Sequence, residues 1–103
     1  MLETWVYMMV DKAFFRENGV EYPCAPGKDD IQLFSSYDHA SHEVFVRTET
    51  YRGLRYRLMN SGNGADDDDL LFWKRLERDD GWAHVFEIRK KIVYGDLFQV
   101  GRS

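Results

Sequence analysis

The stretch Glu43-Val44-Phe45-Val46-Arg47-Thr48-Glu49-Thr50, followed by Tyr51-Arg52-Gly53 and Leu54-Arg55-Tyr56-Arg57-Leu58-Met59-Asn60, decides how the chain is read. Its first run alternates Val44, Val46 and Thr48 against Phe45, Arg47 and Glu49. Its second alternates Leu54, Tyr56 and Leu58 against Arg55, Arg57 and Met59. Period-two alternation around a glycine that tolerates positive φ predicts a β-hairpin turning at Tyr51-Arg52-Gly53. With the aliphatic face inward, Arg47, Arg55 and Arg57 would stand together near Phe45.

Working outward, residues 2–18 carry Leu2, Trp5, Val6, Met9, Val10 and Ala13 at helical spacing, with Asn18-Gly19 as a stop. An alternative makes Thr4–Val10 a strand and starts a short helix at Asp11. Residues 19–30 hold both prolines, Pro23 and Pro26, and read as a loop. Ile31–Ser35 fits a short strand and Ser36–Ser41 a polar turn. Asp67–Asp79 reads as a second helix with Phe72, Trp73 and Leu76 on one face, ending at Asp80-Gly81. A second hairpin follows, Trp82–Ile88 with Ile92–Val100, its turn at Arg89-Lys90-Lys91 or Tyr94-Gly95-Asp96. The expected fold is α+β: a single small domain over residues 1–103, two helices with a mainly antiparallel sheet, in the order helix, hairpin, helix, hairpin. The loose echo of Val44-Phe45/Arg47 in Val85-Phe86/Arg89 is what strands of few residue types produce by chance.

The 103 residues suffice for a core without staples, and 44% hydrophobic with 16% aromatic content argues against disorder. Cys24 is the single cysteine, so no intrachain disulfide can form. No apolar run approaches a membrane span and the N-terminus has no secretory pattern, so the expectation is a cytoplasmic protein. The net charge of −4 is segregated. Residues 1–40 set three bases against seven acids and residues 61–82 do the same, whereas residues 41–60 and 83–103 each set four bases against two acids. The molecule is dipolar rather than a simple phosphate binder.

No stretch is a catalytic signature. Asp38, His39 and His42 include two imidazoles that share a face only on a helix; they are the third-ranked candidate, a small metal-dependent or acid–base enzyme. Cys24 lies between Pro23 and Ala25-Pro26 with nothing adjacent to acidify it. Gly62-Asn63-Gly64 lacks the lysine of a phosphate loop, and the aspartates after it would repel phosphate. The protein is therefore expected to be non-enzymatic, with no cofactor and no bound metal.

Two binding readings remain. Asp66, Asp67, Asp68 and Asp69 run straight into Leu70-Leu71-Phe72-Trp73. Carboxylates beside bulky apolar groups fit an acidic inhibitor that mimics nucleic acid and blocks a basic, nucleic-acid-handling protein, with Leu71, Trp73 and Trp82 as anchors. By size and composition alone this would be an anti-defence (anti-CRISPR-like), immunity or antitoxin type of protein. The alternative is a sheet-face nucleic-acid binder using Phe45, Arg47, Tyr51, Arg55 and Arg57, guanidinium groups with stacking rings. The acidic total argues against that alternative. Self-association through the opposed charge patches is left open.

Overall fold

A computed structural model describes residues 3–24, 30–64 and 69–94. The elements are β1 (Glu3–Glu17), β2 (Val20–Pro23), β3 (Asp30–Phe34), α1 (Tyr37–Gly53), β4 (Arg57–Gly62), β5 (Leu70–Glu77) and β6 (Trp82–Tyr94). All strands join one antiparallel sheet in the order β2-β1-β6-β5-β4, with β3 also on β1, beside β2. Among the described residues the fold is mainly β with one helix, which corrects the two-helix expectation.

Residues 3–17 form the longest strand, paired with β6 from Glu3↔Tyr94 to Phe15↔Trp82. The apolar positions at helical spacing come from both faces of this interior strand. Tyr7 and Met9 face the helix, and Val6, Met8 and Val10 the other side. A strand apolar on both faces yields a helical spacing by accident. Asn18-Gly19 is no helix stop. Asn18 at φ 54 and Gly19 at φ 77 make the two-residue turn between β1 and β2, the geometry that Asn-Gly favours.

Residues 70–77 are a strand, not the second helix. Phe72, Lys74 and Leu76 pair with Ile88, Phe86 and His84 on the helix side, while Trp73, Arg75 and Glu77 point to the opposite side. Trp82–Tyr94 runs unbroken, so Arg89-Lys90-Lys91 is no turn. The hairpin lies one element earlier, at Arg78-Asp79-Asp80-Gly81, where the Gly81 amide donates to the Arg78 carbonyl at 3.1 Å. Gly81 sits at φ 99 with its Cα pressed on β1: a Cβ there would lie 2.7 Å from the Arg16 carbonyl oxygen.

The largest correction concerns residues 37–53. They form the helix, and only residues 57–60 of the expected hairpin are strand, within β4. Ser36, extended at φ −140, is the N-cap, its Oγ accepting from the His39 amide at 3.2 Å. Ala40, Val44, Thr48 and Tyr51 turn inward at spacings of four, four and three. The Thr48 hydroxyl donates to the Val44 carbonyl at 2.7 Å, which satisfies a polar group in the buried seam. At the C-terminus Tyr56 donates to the Tyr51 carbonyl (3.0 Å) and Arg55 to that of Arg52 (3.1 Å), with Arg55 at φ 73. This is a Schellman closure whose left-handed residue is an arginine, where glycine is usual.

The core lies between α1 and the sheet: Met9, Ala40, Val44, Tyr56, Leu76, Phe86 and Ile88, flanked by Tyr7, Phe34, Tyr51, Phe72 and Trp82. Among the described residues no second helix covers the other face. There, Lys12 of β1 pairs with Glu87 of β6 (3.2 Å), Arg89 pairs with Glu87 along the same strand (3.0 Å), and Arg75 of β5 reaches Glu21 of β2 (2.9 Å). Their aliphatic stems shelter Val10 and Ala83, which are buried without an apolar layer above them.

Candidate functional site: a basic groove between the helix and the β4 edge

The last two turns of α1 run beside the β4–β5 hairpin, and the Schellman closure swings the chain straight into β4. Between them lies a groove of about 610 Å³, within the ~300–1,000 Å³ range of ligand clefts. Phe45, Thr48, Glu49 and Arg52 line it from the helix, Arg55 and Tyr56 from the closure, and Arg57, Leu58 and Lys74 from the strands. Tyr56, 7% exposed, belongs to the core beneath, whereas Phe45 and Leu58 are more than half exposed on the rim.

Four cations against one carboxylate make this groove basic in an acidic molecule. Arg52 pairs with Glu49 at 3.2 Å, and Arg57 with Asp79 at 2.7 Å. Both pairs are well exposed, a setting in which ion pairs contribute about 0–1 kcal/mol and exchange readily. Arg55 and Lys74 have no carboxylate within ion-pairing distance among the described residues. The Lys74 ammonium donates to the Thr48 hydroxyl at 3.4 Å and lies 5.8 Å from the centre of the Phe72 ring. Burial pulls the Lys74 pKa below its ordinary value; Glu49 opposes that shift and Arg52 adds to it.

Away from the groove, a polar clasp fastens the other side of α1 to the sheet. Asp11, 6% exposed, accepts from the Tyr51 hydroxyl at 2.7 Å and the Arg47 guanidinium at 3.3 Å, and lies 2.8 Å from His84 Nδ1. Arg47 also binds Glu43 and Asp30. The Tyr51 ring stacks on His84 with centroids 4.0 Å apart, and Tyr56 packs edge-on against the same imidazole at 5.2 Å. Burial pushes the Asp11 pKa up, but the His84 and Tyr51 hydrogen bonds, with the charges of His84 and Arg47, outweigh it and leave it lowered. Burial and the bond to Asp11 drive the Tyr51 pKa well above the ordinary phenol value.

Of the alternative nucleic-acid set, Phe45, Arg55 and Arg57 converge on the groove, while Arg47 and Tyr51 belong to the clasp. Reading residues 43–50 as a strand put Phe45 and Arg47 on one face; on a helix two positions differ by about 200°. Arg52, Lys74, Tyr56 and Leu58 were missed for the same reason. Phe45, Thr48, Glu49 and Arg52 follow the helical i, i+3, i+4, i+7 pattern, a signal the alternation of β-branched residues hid.

Among the described residues, Asp69, Leu71, Trp73 and Trp82 of the acidic-inhibitor set do not form one surface. Asp66, Asp67 and Asp68 lie outside the described residues. Asp69 and Leu71 share a shallow depression with Trp5, Lys90, Lys91 and Ile92. Trp73 covers Gly62 on the opposite side of the sheet from α1, and Trp82 meets Phe15 edge-on at 5.1 Å at the far end of β6. Asp38, His39 and His42 are exposed in the first turns of α1, and among the described residues no three His, Cys, Asp or Glu are grouped to hold a metal. Cys24 is half-buried, its amide bonded to the Ala13 carbonyl at 2.9 Å.

Comparison with known proteins gives no match: no family model, no curated sequence and no solved structure is similar to this chain. No helix among the described residues is long and apolar enough to cross a membrane.

Proposed function

We propose that the chain is a non-enzymatic binding module whose groove between α1 and β4 holds unpaired nucleic acid, phosphates on the arginines and a base against Phe45. The observation that carries this reading is Arg55. A non-glycine residue in the left-handed region costs roughly 1–2 kcal/mol, and glycine would close the helix without that cost. What arginine adds is a guanidinium lining the groove with no carboxylate within ion-pairing distance among the described residues. Strain held at a position that presents a charge to an open cleft is a mark of function. The acidic total is compatible with this, because segregation leaves the groove basic and a local field governs a local ligand.

Arg55→Gly tests the reading by separating fold from function. Stability should rise by about 0.5–1 kcal/mol after allowing for the entropy glycine adds to the unfolded chain. Affinity for a fluorescent single-stranded oligonucleotide should fall roughly tenfold, the loss of one charge-assisted contact. A stabilised variant that binds as well as the parent would sink the proposal.

A second reading rests on Asp69 and Leu71 lying beside the exposed Trp5 and Ile92. Carboxylate and apolar groups together fit an acidic inhibitor docking on a basic, nucleic-acid-handling protein. Pull-down from lysate with and without nuclease separates the two. A stoichiometric protein retained after nuclease, and lost when Asp66–Asp69 are neutralised, favours the inhibitor. Recovery of nucleic acid favours the groove.

A further inference from the structure

The groove does not end at β4, and this bears on how large its ligand is. Arg57 lines both the groove and a second depression of about 410 Å³ at the end of the sheet, where Arg16, Arg75 and Arg78 also stand. A smaller hollow between them is lined by Leu54, Arg55 and Arg78 together with the exposed carboxylates Asp79 and Asp80. The three depressions form one track around the start of β4, linked by arginines at each junction.

The guanidinium groups along it are not equally committed. Arg75 grips Glu21 through both terminal nitrogens (2.9 and 3.0 Å) and Glu77 through Nε (2.7 Å), so it is structural. Arg16 makes only long contacts, 3.6 Å to Glu21 and 3.7 Å to Glu77, and its side chain is half exposed. Arg57 faces an almost fully exposed Asp79, and Arg78 pairs with the exposed Asp80 at 2.9 Å while lying over the Tyr56 ring at 4.7 Å. A phosphate can replace such solvated carboxylates at small cost, whereas the half-buried, bidentate fork of Arg75 is far harder to displace.

We infer that the ligand is an extended polyanion, a single strand several nucleotides long that continues from the groove past Arg57 and Arg78 to Arg16, rather than a mononucleotide or isolated phosphate. This rests on the groove reading above. Sequence-independent single-strand binders occupy about 4–16 nucleotides per small domain and lose affinity with salt, log K falling by about 0.7 per phosphate neutralised.

The test compares a thymidine dinucleotide with a thymidine oligomer of about twelve residues, inside that site-size range, by anisotropy across a salt series. The oligomer should bind at least about tenfold more tightly and with a steeper salt slope. Arg16→Gln should lower oligomer affinity roughly three- to tenfold and reduce its slope by about 0.7, leaving the dinucleotide unchanged. Asp79→Asn, which releases Arg57, should raise affinity for both. Equal affinity for the two lengths, or an Arg16→Gln effect on the dinucleotide, overturns the extended track while leaving the groove standing. Binding of neither length overturns both.

Discussion

Replacing Tyr51 by phenylalanine removes one oxygen from the clasp and nothing else, so its consequence can be worked through. The hydroxyl donates to Asp11 Oδ2 at 2.7 Å, and Asp11 retains His84 and Arg47. The ring keeps its stacking on His84 and its contacts with Tyr56 and Phe86. A hydrogen bond to an ionised, buried carboxylate contributes about 1.5–3 kcal/mol, against about 0.5–1.5 for a neutral one. At neutral pH the variant should be about 2 kcal/mol less stable. With about 2.1 cal/mol/K of unfolding entropy per residue, that lowers Tm by about 9 °C. The pH dependence identifies the cause. The Asp11 pKa is lowered in the folded protein, so its contribution is complete above the unfolded value of about 3.9 and is lost as pH falls through the folded value. Loss of the tyrosine donor raises the folded pKa of Asp11. The gap between parent and variant should therefore shrink to about 1 kcal/mol once the carboxyl is protonated. Urea titrations at about pH 7, 4 and 2, the last well below the ordinary carboxylate value, measure it. A loss of stability that is the same at all three values would refute the charged bond as its origin.

Two further substitutions test how the chain is turned. Gly81→Ala forces a left-handed alanine and places its Cβ 2.7 Å from the Arg16 carbonyl oxygen. Unfolding by urea should show a loss above about 2 kcal/mol, larger than left-handed strain alone explains; a loss under about 1 kcal/mol would mean the β5–β6 turn moves freely from β1. Ser36→Ala removes the acceptor of the His39 amide and should cost about 1 kcal/mol. Ser36→Asp should recover it, and failure to do so would show that the cap is not what starts α1.

What was legible in the sequence were the features with one physical meaning. The short strand expected at Ile31–Ser35 overlaps β3, and Glu3–Glu17 includes the strand given as the alternative for Thr4–Val10, though no helix starts at Asp11; the stop expected at Asp80-Gly81 is there, but it follows a strand rather than a helix. What was not legible were stretches whose residues satisfy two periods at once. Val44, Val46, Thr48 and Thr50 are β-formers in strict alternation, yet Ala40, Val44, Thr48 and Tyr51 also keep a helical seam. Tertiary burial against Met9, Phe86 and Ile88 decides between them. Aspartates before Leu70 looked like the charged start of a helix, but Phe72, Lys74 and Leu76 pair along β6 and override that local preference. The groove inherits the same ambiguity. Its arginines were visible, but which of them share a surface depends on whether the period is 2.0 or 3.6.

The clasp and the groove are linked by what they require of one helix. The outward residues of α1 include Phe45 and Val46, nearly as apolar as the Ala40–Val44 seam that turns inward. Apolar packing alone therefore specifies weakly which way α1 is rotated about its axis, since a different rotation would bury Phe45 and Val46 instead. A buried carboxylate with directional donors removes that freedom. Asp11 on β1, already held by His84 through Oδ1, gains donors for its Oδ2 only when Arg47 and Tyr51, four positions apart and on one helix face, point at it. Once they do, Phe45, Glu49 and Arg52 are carried to the side that faces β4. Because burying Asp11 carries a desolvation cost, the clasp stabilises the fold less than an apolar contact would, but it fixes which side chains line the groove. A small sheet with a single covering helix has no second layer to set that angle, and the polar contact supplies it.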